Sequence, residues 1–241
     1  MPMTPAISFL TWNIASMQPS ADAPDSWTVA DGESAMRSEL QAADADVIAL
    51  QEVPNPRRAP TVESHRALAA TTESHAGLIS TMVRTAMVAS VQQQVLVCRG
   101  FAVMVAFDSG LTVANVHLAP FKSSADLRYA QLATIVDASP TEHLLIIGDT
   151  NMTAAEMGTI AALGLGAEKP PEFTINWRRN RFHPDGRGPR ITTYYTRWLA
   201  TEGVTVSDVK VWSDPVPVAG GRGFYLSDHF ALSGRAEVAS G

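Results

Sequence analysis

The chain has 241 residues, 46% hydrophobic and 17% charged, a globular composition for a layered protein with one large core. A net charge of −6 excludes a surface coated in positive charge for non-specific nucleic-acid binding, and no apolar run approaches the roughly 18 residues that would cross a bilayer. The single cysteine, Cys98, excludes an intrachain disulfide or a cysteine zinc cluster and reads as core filler.

The start of the chain, Met-Pro-Met-Thr-Pro, lacks a basic leader, so no signal peptide and a cytoplasmic location are expected. In chain order the patterns predict a strand over Ile7–Asn13, a helix over Asp31–Ala42, and strands over Asp46–Glu52, Gly77–Val83, Phe101–Phe107 and Leu111–His117. A helix over Ala125–Asp137, a strand over Leu144–Asp149 and a helix over Thr153–Leu163 follow, then strands over Tyr194–Ala200, Val204–Val211 and Leu226–Leu232. Met17–Val29 and Gly164–Arg190 are rich in proline and read as long loops. This strand-rich order predicts a mixed, mainly antiparallel α/β sandwich with helices outside, as one domain over residues 1–241 and a monomer by default.

Several of these strands end on polar groups. Ile7–Asn13 ends on Asn13 and Asp46–Glu52 on Glu52; solvated strand ends would look the same. Leu144–Asp149 delivers Asp149, with Asn151 two residues on. That spacing suits two groups converging on one ligand and equally an Asx turn before a helix. Leu111–His117 ends on an imidazole, and Asp228-His229 interrupts an apolar run, which needs a better reason than a satisfied core histidine. Together these types suit phosphoester hydrolysis: oxygen ligands for a hard cation, a carboxylate to activate water, and amide or imidazole donors for the phosphoryl oxygens.

In this order, Thr11-Trp12-Asn13, Leu50-Gln51-Glu52, Asn115-Val116-His117-Leu118, Gly148-Asp149-Thr150-Asn151 and Ser227-Asp228-His229 resemble the endonuclease/exonuclease/phosphatase superfamily. The resemblance implies a four-layer αββα sandwich and a hydrolase using Mg²⁺ or Mn²⁺. It makes Glu52 the principal metal ligand with Asn13 and Asp228, Asp149 the group that activates water, Asn151 a phosphate contact, and His117 and His229 donors to the scissile phosphate. Gly148-Asp149-Thr150-Asn151-Met152 with Glu156, and Arg128-Tyr129-Ala130-Gln131-Leu132, look like the 5′-tyrosyl-DNA phosphodiesterase branch, although Arg128 and Gln131 also fit a solvated helix face.

The family pattern places an Asp beside the catalytic His where this chain has Thr196; a hydroxyl hydrogen-bonds an imidazole but carries no charge to stabilise imidazolium. Six of the 18 basic residues, Arg178, Arg179, Arg181, Arg187, Arg190 and Arg197, fall within twenty positions. With Trp177 and Tyr195, the candidates to hold a nucleic-acid strand are Arg178, Arg181, Arg190 and Arg197, along with Arg128. Hydrolysis at nucleic-acid ends, 5′-tyrosyl adducts included, is the leading expectation. A small phosphoester, an inositol phosphate or a phospholipid head group is the alternative substrate, and a catalytically weak binding module the alternative class.

Overall fold

The computed structural model describes residues 6–54, 60–74, 77–97, 100–180, 191–217 and 223–239; Cys98 lies outside them. The first sheet contains β1 (Ile7–Asn13), β2 (Val47–Val53), β3 (His65–Ser74), β4 (Gly77–Arg84), β13 (Val204–Trp212) and β14 (Ala231–Val238), in the order β13-β14-β1-β2-β4-β3. The second contains β5 (Val91–Val97), β6 (Ala102–Phe107), β7 (Leu111–His117), β8 (His143–Asp149), β9 (Leu165–Gly166) and β12 (Thr196–Thr201), in the order β5-β6-β7-β8-β12-β9. Strands β10 (Ile175–Asn176) and β11 (Thr192–Thr193) pair separately. Only β1–β2 and β7–β8 are parallel among the pairs of the two sheets.

Period-two alternation sorts the apolar side chains into layers. Phe9, Val47, Val105, Val113, Ile147 and Trp198 meet between the sheets. The alternate residues Leu10, Ile48 and Leu50 pack on Met36 and Leu40 of α1 (Val29–Ala43), and Ala114, Val116 and Ile146 on Leu132 and Ile135 of α2 (Ala125–Ala138). The result is the expected four-layer αββα sandwich. Helix α1 starts two residues before its predicted Asp31 because Thr28 is the cap: its side chain accepts the Asp31 N–H, while the Asp31 carboxylate accepts the Thr28 N–H.

Several elements differ from the sequence reading, and the expected loop Gly164–Arg190 itself carries β9 and β10. The expected helix over Thr153–Leu163 is two 3₁₀ segments, Ala154–Gly158 and Ile160–Leu163. The expected strand over Leu226–Leu232 begins only at Ala231, because Ser227 Oγ takes the His229 N–H at 3.1 Å and donates to Asn13 O at 2.6 Å, making a turn where a ladder would run. Strands β3 and β5 were not expected at all. The stretch between Glu52 and Gly77 supplies a whole edge strand, β3.

Between the sheets, directly behind the polar strand ends, Gln51 Nε2 donates to Thr11 Oγ1 at 3.0 Å and Asn115 Oδ1 at 2.7 Å. Asn115 Nδ2 in turn donates to Ser80 O at 2.9 Å and Thr81 Oγ1 at 3.1 Å. One backbone position near the site tolerates glycine alone: Gly148 has φ 140°, and a Cβ there would lie 2.1 Å from Val116 O. Gly148→Ala must therefore either separate β7 from β8 or twist β8 ahead of Asp149. It should cost about 3 kcal/mol or more, read from urea denaturation midpoints; a midpoint equal to wild type would disprove so close an approach.

Candidate active site

Strand register assembles the site. Parallel pairing aligns His117 with Asp149, and antiparallel pairing aligns Asp149 with Thr196, so β7, β8 and β12 end in one polar row. In the facing sheet, Asn13 is aligned with Gln51, and Glu52 follows it. Glu52 has φ 54°, and the β2–β4 register is interrupted between Leu50 and Val53; such a bulge redirects a side chain that simple alternation would place elsewhere. Asn151 is also left-handed, at φ 51°, with its N–H on Asp149 Oδ1 at 3.0 Å and its Nδ2 on Leu118 O at 3.0 Å. The Asx turn and the convergence of the two residues on one cleft thus coexist.

The two acidic groups meet on one amide. Asn13 Nδ2 donates to Glu52 Oε1 and to Asp149 Oδ2, both at 2.9 Å, while Asn13 Oδ1 accepts the Ala15 N–H at 3.0 Å. Two imidazoles face the same carboxylates: His117 Nε2 is 3.7 Å from Asp149 Oδ2 and 3.9 Å from Glu52 Oε1, and His229 Nε2 is 3.6 Å from Asp149 Oδ2. His229 Nδ1 lies 3.0 Å from Thr196 Oγ1, and its backbone oxygen accepts Trp12 Nε1–H at 3.0 Å. A cleft of about 310 Å³ opens over this group, with Phe121, Asn151, Trp177, Tyr195 and Asp228 in its walls.

Burial pushes the Glu52 carboxyl above the usual carboxylate range, and the Asp149 charge adds to this; the Asn13 amide and the two imidazoles pull the other way. Glu52, Asp149 and His117 offer ligand atoms within 4.8 Å of one another. A paired carboxylate set with one imidazole, short of positive charge, is a donor set that fits a divalent cation. Asp228, expected as a ligand, stands outside that group with Oδ1 4.0 Å from His229 Nε2, and His117, expected to touch only phosphate, is inside it.

Two arginines expected at the substrate are instead part of the frame. Arg128 is fully buried; Glu156 grips its Nε and Nη2 at 2.8 and 3.0 Å, and its Nη1 donates to Ala119 O and Phe121 O. Its burial is possible because Arg128 and the Thr153 cap hold Glu156 ionised against desolvation. Arg197 donates to Tyr194 O at 2.7 Å and Met152 O at 2.9 Å, and burial lowers its pKa to about 10. Trp177 and Tyr195 do line the cleft. Arg178 lies on α3 (Trp177–Asn180), and Arg181 and Arg190 lie outside the described residues. Nothing in the sequence motifs marks Phe121, Ile175 or Ile191, which also form the cleft wall; a lone aromatic after Pro120 is the one signal for Phe121.

The model of the endonuclease/exonuclease/phosphatase family matches residues 10–229, which include every one of these strand ends. The chain belongs to that family. No curated protein sequence matches it. Among solved structures it is similar to D. rerio TDP2 complexed with a single-strand DNA product, at 18% identity over 97% of this chain and 99% of that one, with a TM-score of 0.72. C. elegans TDP2 follows at 14% identity over 97% and 75%, with a TM-score of 0.73. A Bacteroides thetaiotaomicron mannosyl-6-phosphatase shares the fold at 14% identity over 95% and 99%, with a TM-score of 0.61. These likenesses concern the family fold.

Two variants test the electrostatics of the family site in this chain. A raised folded-state pKa at Glu52 means that folding favours its protonated form, a benefit present below the unfolded value and lost as pH rises through the folded one. Without divalent ions, Glu52→Gln should therefore melt above wild type near neutral pH, with the gap closing toward about pH 4. Mg²⁺ or Mn²⁺ should raise the wild-type melting temperature and leave the variant unmoved; a metal-free variant melting below wild type would contradict the assignment. Thr196→Asp sets a charge beside His229 Nδ1 and should move the NMR titration of that ring to higher pH, whereas Thr196→Ser should not. An unmoved titration in a folded Asp variant would uncouple Thr196 from the imidazole.

Proposed function

We propose that the chain is a divalent-cation-dependent phosphodiesterase acting on nucleic-acid ends, 5′-tyrosyl adducts among them. The observation that carries this reading is the pair of carboxylates sharing the Asn13 amide with two imidazoles within 4 Å, at the floor of a cleft. Glu52 would hold Mg²⁺ or Mn²⁺ with Asp149 beside it; when bound, the cation offsets the charge that develops on the phosphoryl oxygens. Asp149, its Oδ2 facing both imidazoles, orients the attacking water and takes its proton. His117 and His229 donate from Nε2 to phosphoryl oxygens, and Asn151 has a second amide hydrogen to add, the first being held by Leu118 O. Asp228 positions His229 from the side away from Thr196.

Support for a nucleic-acid end comes from the aromatic walls, Phe121, Trp177 and Tyr195, which offer stacking surfaces to bases or to a tyrosyl ring. The fold likeness to a TDP2 that holds a single-strand DNA product points the same way. The small volume of the cleft favours a second reading, a small phosphoester, and a phosphatase is among the proteins of like fold. A binding module without chemistry is disfavoured, because gathering carboxylates in a partly buried site has a desolvation cost that a decayed site has no reason to bear.

Turnover over a panel decides between them: a 5′-tyrosyl oligonucleotide, an abasic duplex, a plasmid, inositol phosphates, sphingomyelin and mannose 6-phosphate. The expected result is highest kcat/KM on the 5′-tyrosyl substrate, loss in EDTA, and a fall of roughly 100-fold or more in Glu52→Gln, the scale of removing one preorganised charge-stabilising group. Turnover that survives EDTA would sink the cation-dependent mechanism. Activity confined to the small esters would establish the second reading.

A further inference from the structure

The rim of the cleft includes Phe121, in the loop between β7 and α2, and two features of this residue run against local preference. Its backbone lies at φ 71° and ψ 145°, a region that residues other than glycine rarely enter. Its ring is 78% exposed, although a phenylalanine gains most by burial. The conformation is imposed from below. The buried Arg128 donates from Nη1 to Ala119 O at 2.8 Å and Phe121 O at 2.7 Å, and Gln131 Oε1 accepts the Ala119 N–H at 2.9 Å. Glu156, which grips Arg128, also accepts the Thr153 N–H just beyond Asn151. One ion pair therefore locks the Phe121 rim to the strand end that carries Asp149 and Asn151.

We propose that Phe121 is a specificity-determining residue: its ring is held out to stack on a planar aromatic group joined to the phosphate in the cleft. That group is either the phenolic ring of an aryl ester or the first nucleobase. The proposal rests on the phosphoester reading above. With the backbone beneath the ring already held by Arg128, stacking has only the side-chain torsions left to order, which lowers its entropic cost. Trp177 and Tyr195 line the same cleft from the other end of the chain, so an entering planar group meets aromatic surface from both segments.

The test is fluorescence-anisotropy binding in Ca²⁺ of oligothymidylates with a 5′-phenyl or 5′-methyl phosphorothioate diester, each with an intact or an abasic first nucleotide. Phe121→Ala and Phe121→Gly should cut one preference of the wild type by roughly 5- to 100-fold, the range set by aromatic stacking. A loss in the phenyl-to-methyl ratio identifies the leaving ring as the stacked group; a loss in the intact-to-abasic ratio identifies the base. Phe121→Gly, which enters positive φ without strain, should melt no lower than wild type. Ratios equal to wild type, no preference in the wild type itself, or a uniform loss of all four ligands with a lower melting temperature would each overturn the proposal. Failure of the hydrolase reading looks different: wild type would turn over no phosphodiester with Mg²⁺ or Mn²⁺ while its ligand preference and the Phe121 effect persist.

Discussion

Bringing the carboxylates of Glu52 and Asp149 onto one amide nitrogen combines burial with a neighbouring like charge, and the Asn13 amide with two imidazoles offsets part of that cost. Asn13 can serve as the shared donor only because Ala15 takes its carbonyl oxygen and so fixes which end of the amide faces the acids. The imidazoles of His117 and His229 approach the same oxygens from the second sheet and from the turn before β14. Even with these donors, burial and then the Asp149 charge hold Glu52 above its ordinary pKa. A divalent cation would oppose both effects, and the ligand atoms of Glu52, His117 and Asp149, within 4.8 Å of one another, could hold one.

Such an arrangement has to be rigid to be useful, since relaxation of either strand end would let the acids separate into water. The rigidity comes from buried polar groups that bond to one another, with Gln51 Oε1 left as a buried acceptor without a hydrogen-bond partner. Gln51 and Asn115 link the sheets behind the site and fix their relative placement, because a shift of either strand by one residue would leave an amide unpaired among apolar neighbours. Arg128 with Glu156, and Arg197 with the carbonyls of Met152 and Tyr194, brace the loops in front of it. Three of the eight positive-φ residues other than glycine among the described residues, Glu52, Phe121 and Asn151, line the cleft.

What could be read from the sequence was whatever one strand or helix decides by itself. Ile7–Asn13 and Leu111–His117 show an apolar run with a polar terminus, and both strands occur over those residues. The edge strands were illegible for a physical reason: in Val91–Val97 three glutamines follow Val91, and an edge strand solvated on one side needs no apolar continuity. Arg128 was misjudged because its burial depends on Glu156, 28 positions away, a partner that helical periodicity does not register. Leu226–Leu232 has strand composition, yet Ser227 satisfies its backbone from the side chain, and local competition of that kind is decided by Asn13, over 200 residues earlier. The motif residues were identifiable as a set, but which of their ligand atoms come within 4.8 Å of one another depends on register and on the bulge at Glu52.

Thr196 shows how a single strand position tunes this balance. Its register partner is Asp149, and its hydroxyl meets His229 Nδ1, so a carboxylate here, as the family pattern has it, would add a further acid to a region that already holds Glu52, Asp149 and Asp228. That acid would favour imidazolium at His229 and strengthen attraction for a cation. With a hydroxyl in its place, the ring keeps a hydrogen-bond partner at Nδ1 with no charge added beside it. Thr196 therefore supports the imidazole by hydrogen bonding alone, and the acids near that ring remain Asp149 and Asp228.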